Sequence, residues 1–451
     1  MLGRWTHFLF KEEPIYPLVT FRIVFGFLMF ISTLRFIYLG WIPEHFIDTQ
    51  FQFKYYGFEW VGLLPPFWMY VVHGLMLFSA LGVMLGFLYR FSAALMFLTF
   101  TYIELIDLTY YLNHYYFISL VSLLLIFIPA NKYLSFDARI WPEMVAEKTA
   151  AWHINLIKFQ IFVVYFFAGI AKMNYDWLMD ALPMKIWLPA HDTVPVLGDI
   201  FSHEWAPYAF SWLGMFYDTF IVFFLLFKPT RPIAYIAVVL FHLTVGILFQ
   251  IGVFPVVMIG VTLIFFSAAW HQRILSFFVN LVKFKVPNSY ALKVKQGFMP
   301  KPLLALLISS YVLFQLVFPL RYLAYPGNLF WTEEGYRFSW RVMLMEKAGT
   351  ATFYVKDKRT GREGIVDNGE FLNAHQEKQM AFQPDMILQY AHFLGQYYQN
   401  QGVLEPEVRV KAWVTLNARP SQLIVDPNVD LMEVKDSWQK KDWILPFTDN
   451  N

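Results

Sequence analysis

Lys172 closes one of the most apolar stretches of this 451-residue chain: eleven residues of nearly pure hydrocarbon, Ile161 to Ala171, run straight into it, with Asn174, Asp176 and Trp177 packed behind. An amine in apolar surroundings loses the solvation of its charged form and can act as a neutral base near neutral pH. Other polar groups sit in or at the ends of apolar segments: Asp107 and the pair Asn113–His114 in "DLTYYLNHYYF", Asp218, and His242 in "LFHLTVGILFQIGVFP". Each has a structural alternative. The lysine could snorkel to the headgroups, Asn113 could cap a helix, the histidines could bond between helices, and the aspartates could pair with Tyr or Trp. Intramembrane ionisable residues are nonetheless functional by default, and here they cluster. Tyr110, Tyr111, Tyr115, Tyr116 and Trp177 could bind a flat ring. A lipid-soluble substrate with an acidic hydroxyl, such as a quinol, could arrive sideways from the bilayer and give the base one proton.

The elements that must position these groups follow from composition. The chain is 58% hydrophobic, 20% aromatic and 15% charged, with a mean hydropathy of +0.45; soluble proteins carry about a quarter charged residues. The pattern is that of a polytopic α-helical membrane protein. Net charge is +2, which suggests no nucleic-acid partner, and the absence of Cys removes disulfides, thiolate nucleophiles and Cys-based metal sites. "MLGRWTHFLFKEEP" lacks a small-residue cleavage site, so the first membrane helix is expected to serve as the insertion signal. About nine transmembrane helices are expected, near 15–37, 66–89, 91–107, 113–130, 153–172, 207–227, 231–250, 253–270 and 302–320. With the N-terminus cytoplasmic, Arg4, Lys11, Arg90, Lys132, Arg139, Lys148, Lys228, Arg231 and the run Arg273, Lys283, Lys285, Lys293, Lys295, Lys301 all lie inside. Only Arg35, Lys54, Lys172 and Lys185 fall outside, as the positive-inside rule prefers.

Residues 1–320 thus read as a membrane domain and 321–451 as a β-rich (α+β) extramembrane domain on the outer, periplasmic or luminal, face. "ATFYVKDKRTGREGIVDNGEF" predicts two strands about a Gly-containing turn, "DMILQYAHFLGQYY" a helix, "VRVKAWVTLN" a half-buried strand and "LIVDPNVDL" another. The topology brings Asp107, Asn113, His114 and Lys172 to one level, in a polar pocket roofed by this domain.

"LIDLTYYLNHYYF", "YFFAGIAKMNYDWL", "FHLTVGILFQIGVFP" and "GYRFSWRVMLM" resemble the vitamin K-dependent gamma-carboxylases and their bacterial relatives, which share the horizontally transferred transmembrane (HTTM) domain. The resemblance runs roughly from residue 10 to 446 and includes "FYVKDKRTGREGIVDNGEF" and "WVTLNARPSQLIVDPNVDL". It implies that reduced vitamin K, as phylloquinol or menaquinol, loses a proton to Lys172. The quinolate would react with O2 and rearrange to a strongly basic alkoxide. The alkoxide would take a γ-proton from a glutamate of a peptide or protein substrate, and the carbanion would add CO2 while the quinol leaves as its epoxide. No metal is required. Lys172 and His114 are then catalytic. Asn113, Asp107, Tyr111, His242 and Met258 fall in the quinol pocket, and Tyr336, Ser339 and Trp340 of "YRFSW" hold the glutamate.

A neutral amine can deprotonate a quinol but is far too weak for a glutamate γ-carbon, so a stronger base must form away from water. The sequence also departs from the family pattern. Ala171 replaces the first of two consecutive lysines of the animal proteins, Tyr111 replaces a tryptophan, and Arg341 stands where they have an acidic residue. The chain also stops soon after "WILP". The missing extension and the absent cysteines point to a protein of a bacterial inner membrane, and the differences together leave the substrate open. They leave two alternatives to a carboxylase: a vitamin K or menaquinol epoxidase without protein carboxylation, and a non-catalytic quinone-binding membrane protein.

Overall fold

A computed structural model describes residues 2–195, 198–249, 251–281, 283 and 299–449, with side chains from residue 5 onward. Lys285, Lys293 and Lys295 lie outside the described residues, as does the side chain of Arg4. Along the chain come α1 (Leu2–Phe10), α2 (Tyr16–Tyr38), α3 (Pro66–Leu85), α4 (Tyr89–Ile106), α5 (Asn113–Phe127), α6 (Ala151–Ala171), α7 (Ala206–Leu226), α8 (Arg231–Leu248), α9 (Phe254–Val261), α10 (Ala268–Leu281) and α11 (Lys301–Val317). Hydrocarbon offers backbone groups no water, so spanning segments satisfy their hydrogen bonds internally as helices.

Among the described residues six helices are long and apolar enough to cross a bilayer: α2, α3, α6, α7, α8 and α11 with its extension to Ala324. These make the chain an integral membrane protein. The expected span at 253–270 is instead two helices, α9 with a 3-10 turn to Phe265 and then α10, bent by 116°; counted as one they make a seventh. The other two expected spans coincide with α4, which carries Arg90 and Glu104, and with α5, only 15 residues long. Among the described residues, length and composition therefore support six or seven of the nine expected spans.

Helix packing sets up the site. A Cβ on Gly169 of α6 would lie 2.5 Å from the backbone nitrogen of Thr219 on α7. Only glycine allows so close a crossing, the small-residue contact typical of membrane helices. At the end of the bundle away from the C-terminal region, Asp137 accepts from Leu88 N at 2.7 Å and Tyr89 N at 3.0 Å, supplying the start of α4 with acceptors from the short helix Phe136–Ile140. There too β1 (Glu12–Pro14) pairs antiparallel with β2 (Lys148–Ala150).

The C-terminal region holds β3 (Lys347–Asp357), β4 (Glu363–Ile365), β5 (Pro406–Leu416) and β6 (Gln422–Leu423) in one antiparallel sheet, order β4-β3-β5-β6, with Thr352 opposite Lys411. Val408, Val410, Ala412, Val414 and Leu416 alternate inward on β5 with the period of two expected of a strand. Two helices, α12 (Ala374–Met380) and α13 (Pro384–Asn400), complete the region, and α13 buries Ile387, Tyr390 and Leu394 against the sheet side. The apolar core under the sheet is continuous with Trp177, Met184, Leu188 and Leu248 from the helix ends. Polar contacts seal the junction: Gln389 Oε1 accepts from Lys54 N at 2.8 Å, and Trp187 Nε1 donates to Glu346 at 2.6 Å.

Candidate functional site

The "AKMNYDW" stretch is a local device. Asn174 donates to Ala171 O at 2.9 Å and its Oδ1 accepts from Trp177 N at 3.0 Å, turning the chain sharply after α6. Trp177 Nε1 then donates to Ser211 O on α7 at 2.7 Å, which holds the indole ring 5.3 Å from Lys172 Nζ. Asp176 points the other way. It accepts from Arg419 through both oxygens at 2.8 Å and from Asn417 at 2.7 Å, fastening this loop to the C-terminal region. Burial alone would push the Asp176 carboxyl up; those hydrogen bonds and the guanidinium charge outweigh it and hold the group below the usual carboxylate value.

Lys172 is buried, and its Nζ donates to Asp218 Oδ2 on α7 at 2.7 Å. Sequence reasoning expected an amine left uncharged by apolar surroundings alone; its nearest partner is instead a carboxylate, brought there by the Gly169–Thr219 crossing. The pair borders an apolar cavity of about 360 Å³, shared with Tyr165, Tyr217, His242, Phe254 and Met258. His242 accepts or donates through Nε2 to the Tyr165 hydroxyl at 2.7 Å, while its buried Nδ1 has no partner. Leu213 on α7 and Leu240 on α8 line the same cavity and are 67% and 60% exposed, so the wall opens sideways between these helices.

Asn113 and His114 belong to a second cavity of about 260 Å³, with Tyr111, Tyr336, Arg337 and Arg341. The single pocket expected from topology is thus divided. The ring of Phe254 stacks on His114 at 5.1 Å and meets His242 edge-on at 5.7 Å, and Ile251, Phe254, Val342 and Met343 line both cavities. Asn113 Nδ2 donates to Arg341 O at 2.7 Å, and its Oδ1 accepts from Tyr111 at 3.1 Å. The Tyr111 hydroxyl in turn accepts from Phe338 N at 2.7 Å. These bonds tie the start of α5 to residues 333–343, where Glu333, Phe338, Trp340 and Met343 all adopt φ between 50° and 58°. Such left-handed conformations cost about 1–3 kcal/mol each and persist where surroundings enforce them.

The remaining expected residues make their contacts outside these two cavities. Asp107 Oδ1 accepts from Thr109 N and Oγ1 at 2.9 and 2.8 Å, and Oδ2 accepts from Gln376 of α12 at 2.7 Å. It borders a third cavity of about 810 Å³, together with Tyr111 and His114. Ser339 bridges Arg321 at 2.9 Å and Gly335 O at 2.6 Å. Trp340 is fully buried, stacked on Tyr116 at 4.9 Å. Of Tyr336, Ser339 and Trp340, expected at the substrate, Tyr336 borders one of these cavities, together with its neighbour Arg337. Sequence reasoning did not assign Asp218, Tyr165, Arg337 or Arg341 to a site. Asp218 gave a signal as a carboxylate inside a predicted span, Arg341 as a departure from the family pattern and Arg337 as a member of "YRFSW".

The chain matches the HTTM domain over residues 10–270 and the vitamin K-dependent gamma-carboxylase lumenal domain over residues 300–450. No solved structure matches it.

Proposed function

The chain belongs to the vitamin K-dependent gamma-carboxylase family, and from that premise we propose that it couples oxidation of a reduced vitamin K or menaquinol by O2 to CO2 addition at a peptidyl glutamate. The observation that carries this reading is the Lys172–Asp218 pair at 2.7 Å on the wall of an apolar, laterally open cavity. The cavity suits a quinol. Its volume of about 360 Å³ takes a ring, within the usual range of roughly 300–1,000 Å³ for ligand sites. Aromatic side chains line it, polar groups stand at two places, and the orphaned His242 Nδ1 is available to a hydroxyl. A polyprenyl or phytyl tail can leave between α7 and α8. When bound, the quinol would supply the oxygen chemistry that generates a base strong enough for a γ-carbon.

The residues of this chain bind, orient and move one proton. The reading requires the proton shared by the pair to rest on Asp218, which leaves the Lys172 amine free to act as the base. On taking the quinol proton, the pair gains one positive charge as the quinol loses one, so the cavity stays neutral overall. That balance matters where desolvation penalises net charge. His242, oriented by Tyr165, holds the other polar end of the ring. Phe254, Val342 and Met343 keep water from the second cavity out of the first, as a strong base requires. His114 and Asn113 stand on the far side of this wall, where they can orient the glutamate-bearing segment 336–341. The basic end of the bundle is taken as cytoplasmic and the region from 321 onward as a periplasmic or luminal domain.

Quinol epoxidation without protein carboxylation is a second reading, favoured by the packing roles of Ser339 and Trp340. One experiment separates the two. Purified protein receives reduced vitamin K, O2, labelled bicarbonate and a short Glu peptide. The carboxylase reading expects epoxide and label together; epoxide without label selects the second reading, and neither product rejects both.

A further inference from the structure

The cations around the second cavity do not all have anionic partners. Lys347 is paired with Glu333 at 2.8 Å, and Arg337 is paired with Asp385 at 2.5 Å. Arg341, which lines the cavity, has no such partner. It is 7% exposed, and its Nε has no hydrogen-bond partner. Among the described residues no carboxylate forms an ion pair with it. Its charge meets tyrosines instead: the guanidinium lies 4.2 Å from the centre of the Tyr322 ring and hydrogen-bonds that residue's side chain, and Tyr336 is another neighbour. Arg321, which bonds Ser339 and backbone oxygens but no carboxylate, adds a second positive charge nearby. A desolvated guanidinium without a counter-charge is costly, and its planar fork suits a carboxylate.

The lining of the cavity narrows the choice of anion. Leu108, Leu112, Met345 and Phe382 offer apolar surface, while the Gln383 amide is engaged with Arg337 and Gln379. A bare inorganic ion would leave the apolar surface unused. A carboxylate at the end of a short methylene chain, carried on a peptide backbone, covers it.

We propose that Arg341 is the carboxylate-recognising residue of this cavity and that its ligand is an acidic side chain of a peptide or protein. This rests on the carboxylase reading for the identity of that side chain as glutamate. Val342 and Met343, which follow directly, form the wall toward the Lys172 cavity, so a carboxylate at Arg341 would lie one layer of side chains away from it. The basic residue that seemed, in sequence, to argue against a glutamate substrate thereby becomes its anchor.

The test is direct binding, without quinol, to the full-length protein in lipid nanodiscs. The probes are a fluorescent Glu peptide and the same peptide with Gln. Wild type should bind the Glu peptide at least tenfold more tightly. Arg341→Gln should lose that preference, and Arg341→Lys should keep part of it, which also shows that the site remains folded. Bicarbonate alone should compete poorly. A preference that survives in Arg341→Gln, no preference in wild type, or displacement of peptide by millimolar bicarbonate would each overturn the proposal. Glu-selective binding that depends on Arg341, in protein that yields neither epoxide nor label, would sink the carboxylase reading and leave the carboxylate site standing.

Discussion

At the scale of single residues, Lys172 is half of a unit. Sequence reasoning supplied the amine, and the fold supplied the carboxylate 2.7 Å away. General-base contributions run to roughly 10²–10⁴-fold. Lys172→Ala is therefore expected to lower epoxide formation by about 10²-fold or more, measured on purified protein with saturating quinol. Asp218→Asn should also lower it, because the amide cannot take up the pair's proton and so free the amine. It should further destabilise the protein, since removing one member of a buried pair costs about 3–5 kcal/mol. Asp218→Asn with wild-type epoxide yield would show that the carboxylate merely fills space, and the amine alone would have to account for the chemistry.

At the scale of elements, the site depends on how closely α6 and α7 cross. Gly169 lies one helical turn before Lys172, and Thr219 adjoins Asp218, so the crossing and the ion pair share one contact region. A methyl group at 169 would meet Thr219 Oγ1 at 2.3 Å and its backbone nitrogen at 2.5 Å. Overpacking of this kind typically costs about 1–3 kcal/mol. Because backbone cannot swing aside as a side chain does, Gly169→Ala should part the helices and weaken the pair. The expectation is a lower melting temperature in detergent together with slower epoxide formation. If thermal stability and turnover both match wild type, the crossing is looser than described. The loop after α6 works alongside this contact. Trp177 bonds back to α7, Asp176 bonds outward to Arg419, and so the position of Lys172 is fixed from both sides.

For the whole molecule, the question is which end faces which compartment. The helix ends carrying Asp107, Asn113, Asp176 and Trp187 all bond the C-terminal region, and the basic residues Arg90, Lys132 and Lys148 belong to the opposite end. The chain has no cysteine, so single substitutions report accessibility cleanly. Asn428 and Lys148 are both exposed. In intact cells, Asn428→Cys should react with a membrane-impermeant maleimide, and Lys148→Cys should react only after permeabilisation. The reverse pattern would invert the proposed orientation. The sequence by itself determined the membrane class, the mixed C-terminal region and the polar residues at the ends of apolar segments. Those follow from local physics: hydrocarbon solvation selects long apolar helices, and period-two burial marks β5. It did not determine the number of crossings, because a bend between α9 and α10 leaves no trace in hydropathy. Nor did it separate Lys172 from His114, since a shared level along the chain says nothing about a phenylalanine ring standing between them. Only the tertiary structure gave Lys172 its carboxylate and left Arg341 without one, because charge pairing is settled by side chains from distant segments meeting in space.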